Sequence, residues 1–275
     1  LVESPREAKS SVVQGGGRIR FEHVWFAYQR DDFVLRDVSF EVSPGERVGV
    51  VGASGAGKTT LINLLMRFYD VNQGRITIDG VDIRQMNLGD LRKQFGLVLQ
   101  DVYLFSGTIR ENIRLGHEEI GDQQVRAAAA SVRADRFIDG IPNGFDGEVA
   151  ERGTTLSTGQ RQLLSFARAL AFAPDVLLLD EATSSVDTET EHLIQDALRT
   201  LMKDRTTIAI AHRLSTVQDM DKILVFHKGE LREIGNHQEL LSQRGLYRTL
   251  YQLQYRDQEQ LSIKLTNFSE SPTVG

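Results

Sequence analysis

Gly52-Ala53-Ser54-Gly55-Ala56-Gly57-Lys58-Thr59 is the stretch on which the reading of this chain turns. It follows an apolar β-type run, Arg47-Val48-Gly49-Val50-Val51, and precedes an amphipathic helical one, Thr60-Leu61-Ile62-Asn63-Leu64-Leu65-Met66. A buried strand that feeds a glycine-rich turn at the mouth of a helix makes an anion site. The helix N-terminus carries partial positive charge and unpaired N–H donors, and both favour a polyphosphate. The glycines permit conformations and a close backbone approach that side chains would block. Gly52, Ser54, Gly55, Ala56, Gly57, Lys58, Thr59 and Thr60 are therefore the candidate phosphate-binding set. Lys58 is expected to reach the β- and γ-phosphates, and the Thr59 hydroxyl to bind Mg²⁺.

Working outward, residues 1–17 are polar and end in Gly15-Gly16-Gly17, the composition of a linker. From Arg18 to Tyr28, Ile19 and Phe21, then Phe26 and Tyr28, repeat at period two and predict a strand. Val34 to Val42 continues in strand style, and Ser43-Pro44-Gly45-Glu46 turns the chain toward the loop strand. Arg75 to Gly80 is another short strand, so the opening is β-rich and mixed or antiparallel. Leu97-Val98-Leu99 is an apolar strand that stops at Gln100. From Asp101 to about Leu170 helical signals dominate, including the alanine-rich run from Gln123 to Val132. Strand character returns at Val176 to Leu179 and at Thr206 to Ile210. Between them Thr188 to Met202 reads as a helix with a capping box at Thr188 and Glu191. Strands alternating with helices at this spacing imply a largely parallel sheet covered on both faces. Lys222 to Phe226 and Glu230 to Ile234 read as a hairpin around Lys228-Gly229. Helical stretches then run to about Tyr255, and residues 258–275 are expected to be a flexible tail.

Composition narrows the function classes. The 275 residues are ordinary globular material, enough for one large domain or two small ones. Lys+Arg number 32 against 38 Asp+Glu, a net charge of −6, so no nucleic-acid partner is expected. The absence of cysteine excludes disulfides, thiol catalysis and cysteine-ligated metals. No apolar run approaches the roughly 18 residues of a membrane span. The chain opens at Leu1 instead of Met, and a piece of a longer protein is the expectation.

Two further segments carry chemistry. The apolar strand Val176 to Leu179 ends in Asp180-Glu181. A phosphate-binding loop needs a carboxylate on the neighbouring strand end for its Mg²⁺ shell, which Asp180 supplies. Glu181 is placed to take or orient the proton of an attacking water. Leu156-Ser157-Thr158-Gly159-Gln160 has two readings. Ser157 and Gln160 satisfy the capping-box spacing and would simply start a helix. Alternatively, this glycine-containing helix N-terminus is a second anion site.

The order and setting of Gly52 to Thr59, Gln100, Leu156 to Gln160, Val176 to Glu181, Ser184-Ser185-Val186-Asp187 and His212 resemble the ATP-binding cassette (ABC) nucleotide-binding domain. The resemblance spans residues 18 to about 255. Arg67-Phe68-Tyr69-Asp70, Gln100-Asp101 with Leu104-Phe105, Thr108 to Ile113 and Ala211-His212-Arg213-Leu214-Ser215-Thr216 are similar to the exporter branch, whose half-transporters carry a fused membrane domain. It implies an α/β fold: a P-loop NTPase core with a mainly parallel sheet, an N-terminal antiparallel β subdomain and a helical subdomain inserted at about 101–170. The implied division is a linker over 1–17, a nucleotide-binding domain over 18–257 and a tail over 258–275.

Roles follow from the same resemblance. Tyr28 would stack on adenine, a contact worth on the order of 1 kcal/mol; its alternative is a strand-face aromatic. Gln100 would touch Mg²⁺ or water and sense the membrane domain; its alternative is a polar strand terminator. His212 would contact the γ-phosphate, and Glu181, His212, Lys58 and Gln100 form the catalytic set. Mg²⁺ would be held by Thr59, Gln100 and Asp180. Because such domains sandwich ATP between two copies or two unlike halves, Ser157, Gly159 and Gln160 would meet the nucleotide on a partner's loop, with Asp187 across the interface. The implied activity is ATP hydrolysis coupled to export, at the cytoplasmic face of a plasma or inner membrane. A soluble ABC-type ATPase acting on nucleic acid or ribosomes, and an importer subunit, are the alternatives. One position departs from the family pattern: Thr158 stands where the first glycine of the signature is usual. A β-branched residue there narrows the backbone choices, which suggests a half with a competent loop and a weakened signature.

Overall fold

A strand without a polar residue between Val176 and Leu179 is stable only when both of its faces are covered, and the molecule is layered accordingly. The computed structural model describes residues 2, 16–29, 32–99, 101–180, 188–211 and 214–253. In chain order, β1 (Ile19–Ala27), β2 (Phe33–Val42) and β3 (Arg47–Gly52) lead into α1 (Lys58–Leu65). Next come β4 (Gln73–Ile78), β5 (Val81–Asp82), α2 (Leu88–Lys93) and β6 (Phe95–Val98). The central part holds β7 (Gly107–Thr108), α3 (Ile109–Arg114), α4 (Asp122–Ser131), α5 (Asp135–Ile138), β8 (Glu148–Val149) and α6 (Thr158–Ala171). The last part alternates β9 (Val176–Asp180), α7 (Thr188–Met202), β10 (Thr206–Ile210) and α8 (Leu214–Val217). It finishes with β11 (Lys222–His227), β12 (Glu230–Gly235), α9 (His237–Ser242) and a helical stretch over 246–253.

The antiparallel sheet runs β2-β1-β4-β5. In β1 the inward set passes from Ile19 and Phe21 to Val24 and Phe26, a change of parity at a register shift beside His23, whose φ is 49°. This bulge explains why period two holds in each half of the strand but not across it. The main sheet runs β12-β11-β3-β10-β9-β6, parallel throughout except for β12 at its edge. Val176 and Leu178 face a core shared with α1 and the antiparallel sheet, while Leu177 and Leu179 face the helices on the other side. Two cores thus share one strand, and its apolar run is the consequence.

One expectation needs correction. The strand that ends at Asp180 does not adjoin the loop strand; β10 lies between β3 and β9, and Val50, Ile210 and Asp180 fall in one row across the three. The crossover through α7 places β10 in that gap. The 101–170 region also contains strand: Gly107–Thr108 pairs with Glu148–Val149, a ladder too short to show periodicity. The antiparallel opening, the parallel sheet, the helix over 188–202 and the hairpin agree with the sequence reading. Gly16 and Gly17 are fastened to the domain, since Thr206 Oγ1 donates to Gly16 O at 3.0 Å and Gly17 N donates to Asp79 Oδ2 at 3.2 Å. Among the described residues no helix is long and apolar enough to cross a membrane.

Leu178 is fully buried at the centre of the shared strand. Truncation to alanine is expected to cost about 2–5 kcal/mol in denaturant unfolding, whereas Leu253→Ala, at a 53% exposed position, changes stability by less than about 0.5 kcal/mol. Equal midpoints for the two variants would contradict this layering.

Candidate functional site: the loop between Gly52 and Thr59

Strand β3 delivers the chain to the loop, and its last residue is pinned by the neighbouring strand. Gly52 has φ 154°, and a Cβ there would stand 2.3 Å from Phe226 O, against backbone that cannot give way. After the turn, α1 begins with Gly57 at its N-cap, at φ 95°, without a side-chain cap and without an acidic residue in the first turn. Its first N–H groups therefore lack the partners that most helix starts supply internally. Ser54, Gly55 and Thr59 are exposed, while Ala56, Lys58 and Thr60 are buried.

Lys58 is only 5% exposed, and its Nζ donates to Gly52 O at 2.9 Å and Ala53 O at 3.0 Å. The side chain folds back over the loop it follows. Burial pushes its pKa below the ordinary lysine value, and the charge of Asp180 pulls the other way. An ammonium so placed, beside uncapped N–H donors, fits an incoming polyphosphate. Charge-assisted bonds to phosphate oxygens are about twice as strong as bonds to neutral carbonyls. No group of three or more His, Asp or Glu able to hold a metal occurs among the described residues. Thr59 and Asp180 fit a Mg²⁺ ion that takes most of its oxygens from nucleotide and water.

Tyr28 follows β1 and is joined to α1. Its hydroxyl donates to Thr60 Oγ1 at 3.3 Å and accepts from Asn63 Nδ2 at 3.0 Å. Phe26 and Tyr69 meet its ring near right angles at 4.8 and 5.0 Å. The sequence reading singled out Tyr28 and Thr60 separately, and the fold brings them together. It missed Asn63 and gave Tyr69 no role. The signal for Asn63 was its i+3 spacing from Thr60, which puts both on one helix face.

Asp180 stands at the C-terminal end of β9. Gln100, Glu181, Asp187 and His212 lie outside the described residues. The strands that lead to three of them, β6, β9 and β10, run parallel to β3, so their C-terminal ends share the sheet edge that carries the loop. The ladder beside the loop strand extends to Ala211, whose N–H donates to Val50 O at 3.1 Å.

The segment before α6 is a capping box: Gln160 N donates to Ser157 Oγ at 3.2 Å and Ser157 N donates to Gln160 Oε1 at 2.9 Å. Ser157 is exposed and Gly159 is buried. A Cβ on Gly159 would lie 2.2 Å from Thr190 Cγ2, so close packing of α6 on α7 by itself requires glycine there. The Thr158 hydroxyl accepts from Arg161 Nη2 at 3.1 Å, and Arg161 Nη1 donates to Leu156 O at 3.0 Å. Among the described residues no hydrogen bond joins Ser157–Gln160 to the loop at Gly52–Thr59.

Arg168 of α6, which the sequence reading passed over, ties this helix to the segment after Gln100. Its half-buried guanidinium, whose pKa desolvation pushes down to about 10, donates to Asn112 O at 2.9 Å and Tyr103 O at 3.1 Å. Asn112 in turn holds Phe105 through its N–H and its carbonyl, each at 2.8 Å. Beside this knot Leu99, Tyr103, Phe105 and Leu115 are exposed apolar side chains.

A strand-loop-helix phosphate cradle at the C-terminal edge of a parallel sheet, with an antiparallel sheet on one face and a helical layer on the other, defines a P-loop nucleotide-binding class. The chain belongs to the ABC transporter family, whose model matches residues 35–184. It is 50% identical over 245 residues to the fatty acid ABC transporter ATP-binding/permease protein of Mycobacterium bovis, covering 89% of this chain and 39% of that protein. It is also 50% identical over 253 residues to YknV of Bacillus subtilis, an uncharacterised ABC transporter ATP-binding protein, covering 92% and 42%. Among solved structures, that of a bacterial Atm1-family ABC exporter with ATP bound superposes with a TM-score of 0.86 at 45% identity, over 92% of this chain and 44% of that one. The chain thus spans about two fifths of the length of the curated relatives it matches.

Gly159→Ala is expected to destabilise the fold by about 1–3 kcal/mol, because the added Cβ would stand 2.2 Å from Thr190 Cγ2 and one of the two must shift. Adding Thr190→Ser, which removes the obstructing methyl, should restore most of the loss in denaturant unfolding. If the second change recovers nothing, the packing explanation for Gly159 is wrong.

Proposed function

We propose that this chain is the ATP-binding and ATP-hydrolysing part of an ABC exporter, with a nucleotide-binding domain over 18–257, a helical subdomain at about 101–170, and flanking linker and tail. One observation carries the proposal: among the described residues Lys58 is buried with loop carbonyls as its hydrogen-bond partners, beside a helix start with no side-chain cap. The likeness to an exporter solved with ATP bound supports it.

The triphosphate binds over Gly52, Ser54, Gly55, Ala56 and Gly57, where backbone N–H groups of the loop and of α1 donate to it. Lys58 exchanges its carbonyl partners for β- and γ-oxygens, and Thr60 closes the first turn. Tyr28 carries the adenine. Thr59, Gln100 and Asp180 would hold Mg²⁺, which would supply positive charge to neutralise the transferring phosphate. Glu181 accepts the proton of the attacking water, and His212 donates to the γ-phosphate. The partner domain supplies Ser157, Gly159 and Gln160 against this nucleotide, with Asp187 across the interface.

A membrane domain, fused to this chain or associated with it, is proposed as its partner, because the M. bovis relative is an ATP-binding/permease protein. The exposed Tyr103, Phe105 and Leu115 beside the Arg168 knot offer it an apolar seat. The domain then works at the cytoplasmic face of that membrane.

Glu181→Gln is expected to keep ATP affinity within about twofold while steady-state hydrolysis drops at least about a hundredfold. Lys58→Ala loses about tenfold or more in affinity, since a charged hydrogen-bond donor is removed. Wild-type turnover in the first variant, or unchanged binding in the second, would remove the assigned role. The partner is proposed to be an unlike half, with Thr158 weakening the signature that this chain contributes. Thr158→Gly in the full-length transporter should then raise ATP turnover several-fold. A fully active homodimer indifferent to the change would refute this.

A further inference from the structure

The geometry points to Asn63 and Tyr69 as positioning residues for the nucleotide base, acting through Tyr28. The inference rests on the reading of Tyr28 as the adenine platform and extends it to residues with no assigned part in binding.

Tyr28 lies just past the end of β1 and is 45% exposed. A half-exposed aromatic at a strand end has rotamer freedom to lose when a base settles on it. Here that freedom is already restricted by four groups. The phenol hydroxyl is used in both directions, donating to Thr60 Oγ1 and accepting from Asn63 Nδ2. Both partners belong to α1, the helix whose first turn carries Lys58 and Thr59. The ring is held by two aromatic side chains at near-perpendicular angles, Phe26 from its own strand and Tyr69 from beyond the helix. Tyr69 is itself 44% exposed, which leaves it beside the open face where a base would lie.

The consequence is mechanical. The platform for the base is in hydrogen-bonded register with the helix that receives the phosphates, so the two ends of one nucleotide are read by a single rigid unit. Preorganisation of this kind gains affinity by removing an ordering cost on binding. It also makes a specific demand: loss of the tether should weaken binding of a nucleotide and leave a ligand without a base untouched. A purely structural tether between β1 and α1 makes no such distinction.

The test measures binding of MgATP and of magnesium tripolyphosphate to the 275-residue chain by calorimetry, with thermal unfolding recorded for each variant. Tyr28→Phe keeps the ring and removes both hydrogen bonds of the tether, and Asn63→Ala removes the shorter of the two while leaving the bond to Thr60. Each is expected to weaken MgATP about two- to tenfold, the range of one net hydrogen bond, with tripolyphosphate affinity unchanged. Combined, they should cost no more than the worse of the two. Tyr69→Ala should show the same selective loss, and Tyr69→Phe, which keeps the aromatic contact, should bind as the parent does. If Asn63→Ala weakens both ligands equally, or neither, while Tyr28→Ala still loses MgATP selectively, Tyr28 remains the platform and the positioning role falls. If Tyr28→Ala itself leaves the preference for MgATP over tripolyphosphate intact, the platform reading fails and takes the inference with it.

Discussion

The ammonium of Lys58 is withdrawn from water with the carbonyls of Gly52 and Ala53 as its partners, and the loop is organised by that arrangement. A buried lysine carries a desolvation penalty, felt as a pKa below the ordinary lysine value. Because the folded chain then binds a proton less readily than the unfolded one, stability rises with pH through the interval just below that value. An anion delivered to the helix mouth reverses the imbalance by giving the charge a counter-charge. The loop thus holds its cation at a cost that binding removes. Asp180 already offsets part of that cost from the end of β9. It can do so although β10 separates the two strands, because both end on the same edge of a parallel sheet.

That edge depends on the two cores. A strand with alternate side chains committed to opposite layers cannot slip by one residue without turning every side chain to the wrong layer. Val176 and Leu178 belong to one layer and Leu177 and Leu179 to the other. The row through Val50, Ile210 and Asp180 is therefore set by hydrophobic burial, and the height of the carboxylate relative to the loop follows from it. Chemistry at the edge inherits its precision from packing in the middle.

How much of this was legible in the sequence depended on the range of the interaction. The loop at Gly52–Thr59, the helix cap at Ser157 and Gln160 and the apolar strand before Asp180 are local patterns, and each was readable from spacing alone. The order β3-β10-β9 was not, since nothing in a linear sequence says which strand a crossover will insert. The pairs Tyr28–Asn63 and Arg168–Asn112 were equally hidden. Each joins elements tens of residues apart, and asparagine or arginine on a helix ordinarily signals a solvated surface. The bulge at His23 left a trace, a change of parity between Phe21 and Phe26, but β1 still read as one strand.

Glycine at position 159 shows why a motif residue need not have one meaning. In the resemblance it belongs to a signature that meets a nucleotide across a dimer interface, where absence of a side chain would let a phosphate approach. In the fold the same absence lets α6 lie against Thr190 of α7. Packing inside the chain therefore constrains Gly159 whatever partner is present. Thr158, one residue earlier, is half-buried and has its hydroxyl occupied by Arg161. That bond draws the side chain toward its own helix, so the hydroxyl is committed internally while the capping box at Ser157 and Gln160 stays intact. The departure at Thr158 is therefore accommodated within this chain, and the helix start that it belongs to folds around it unchanged.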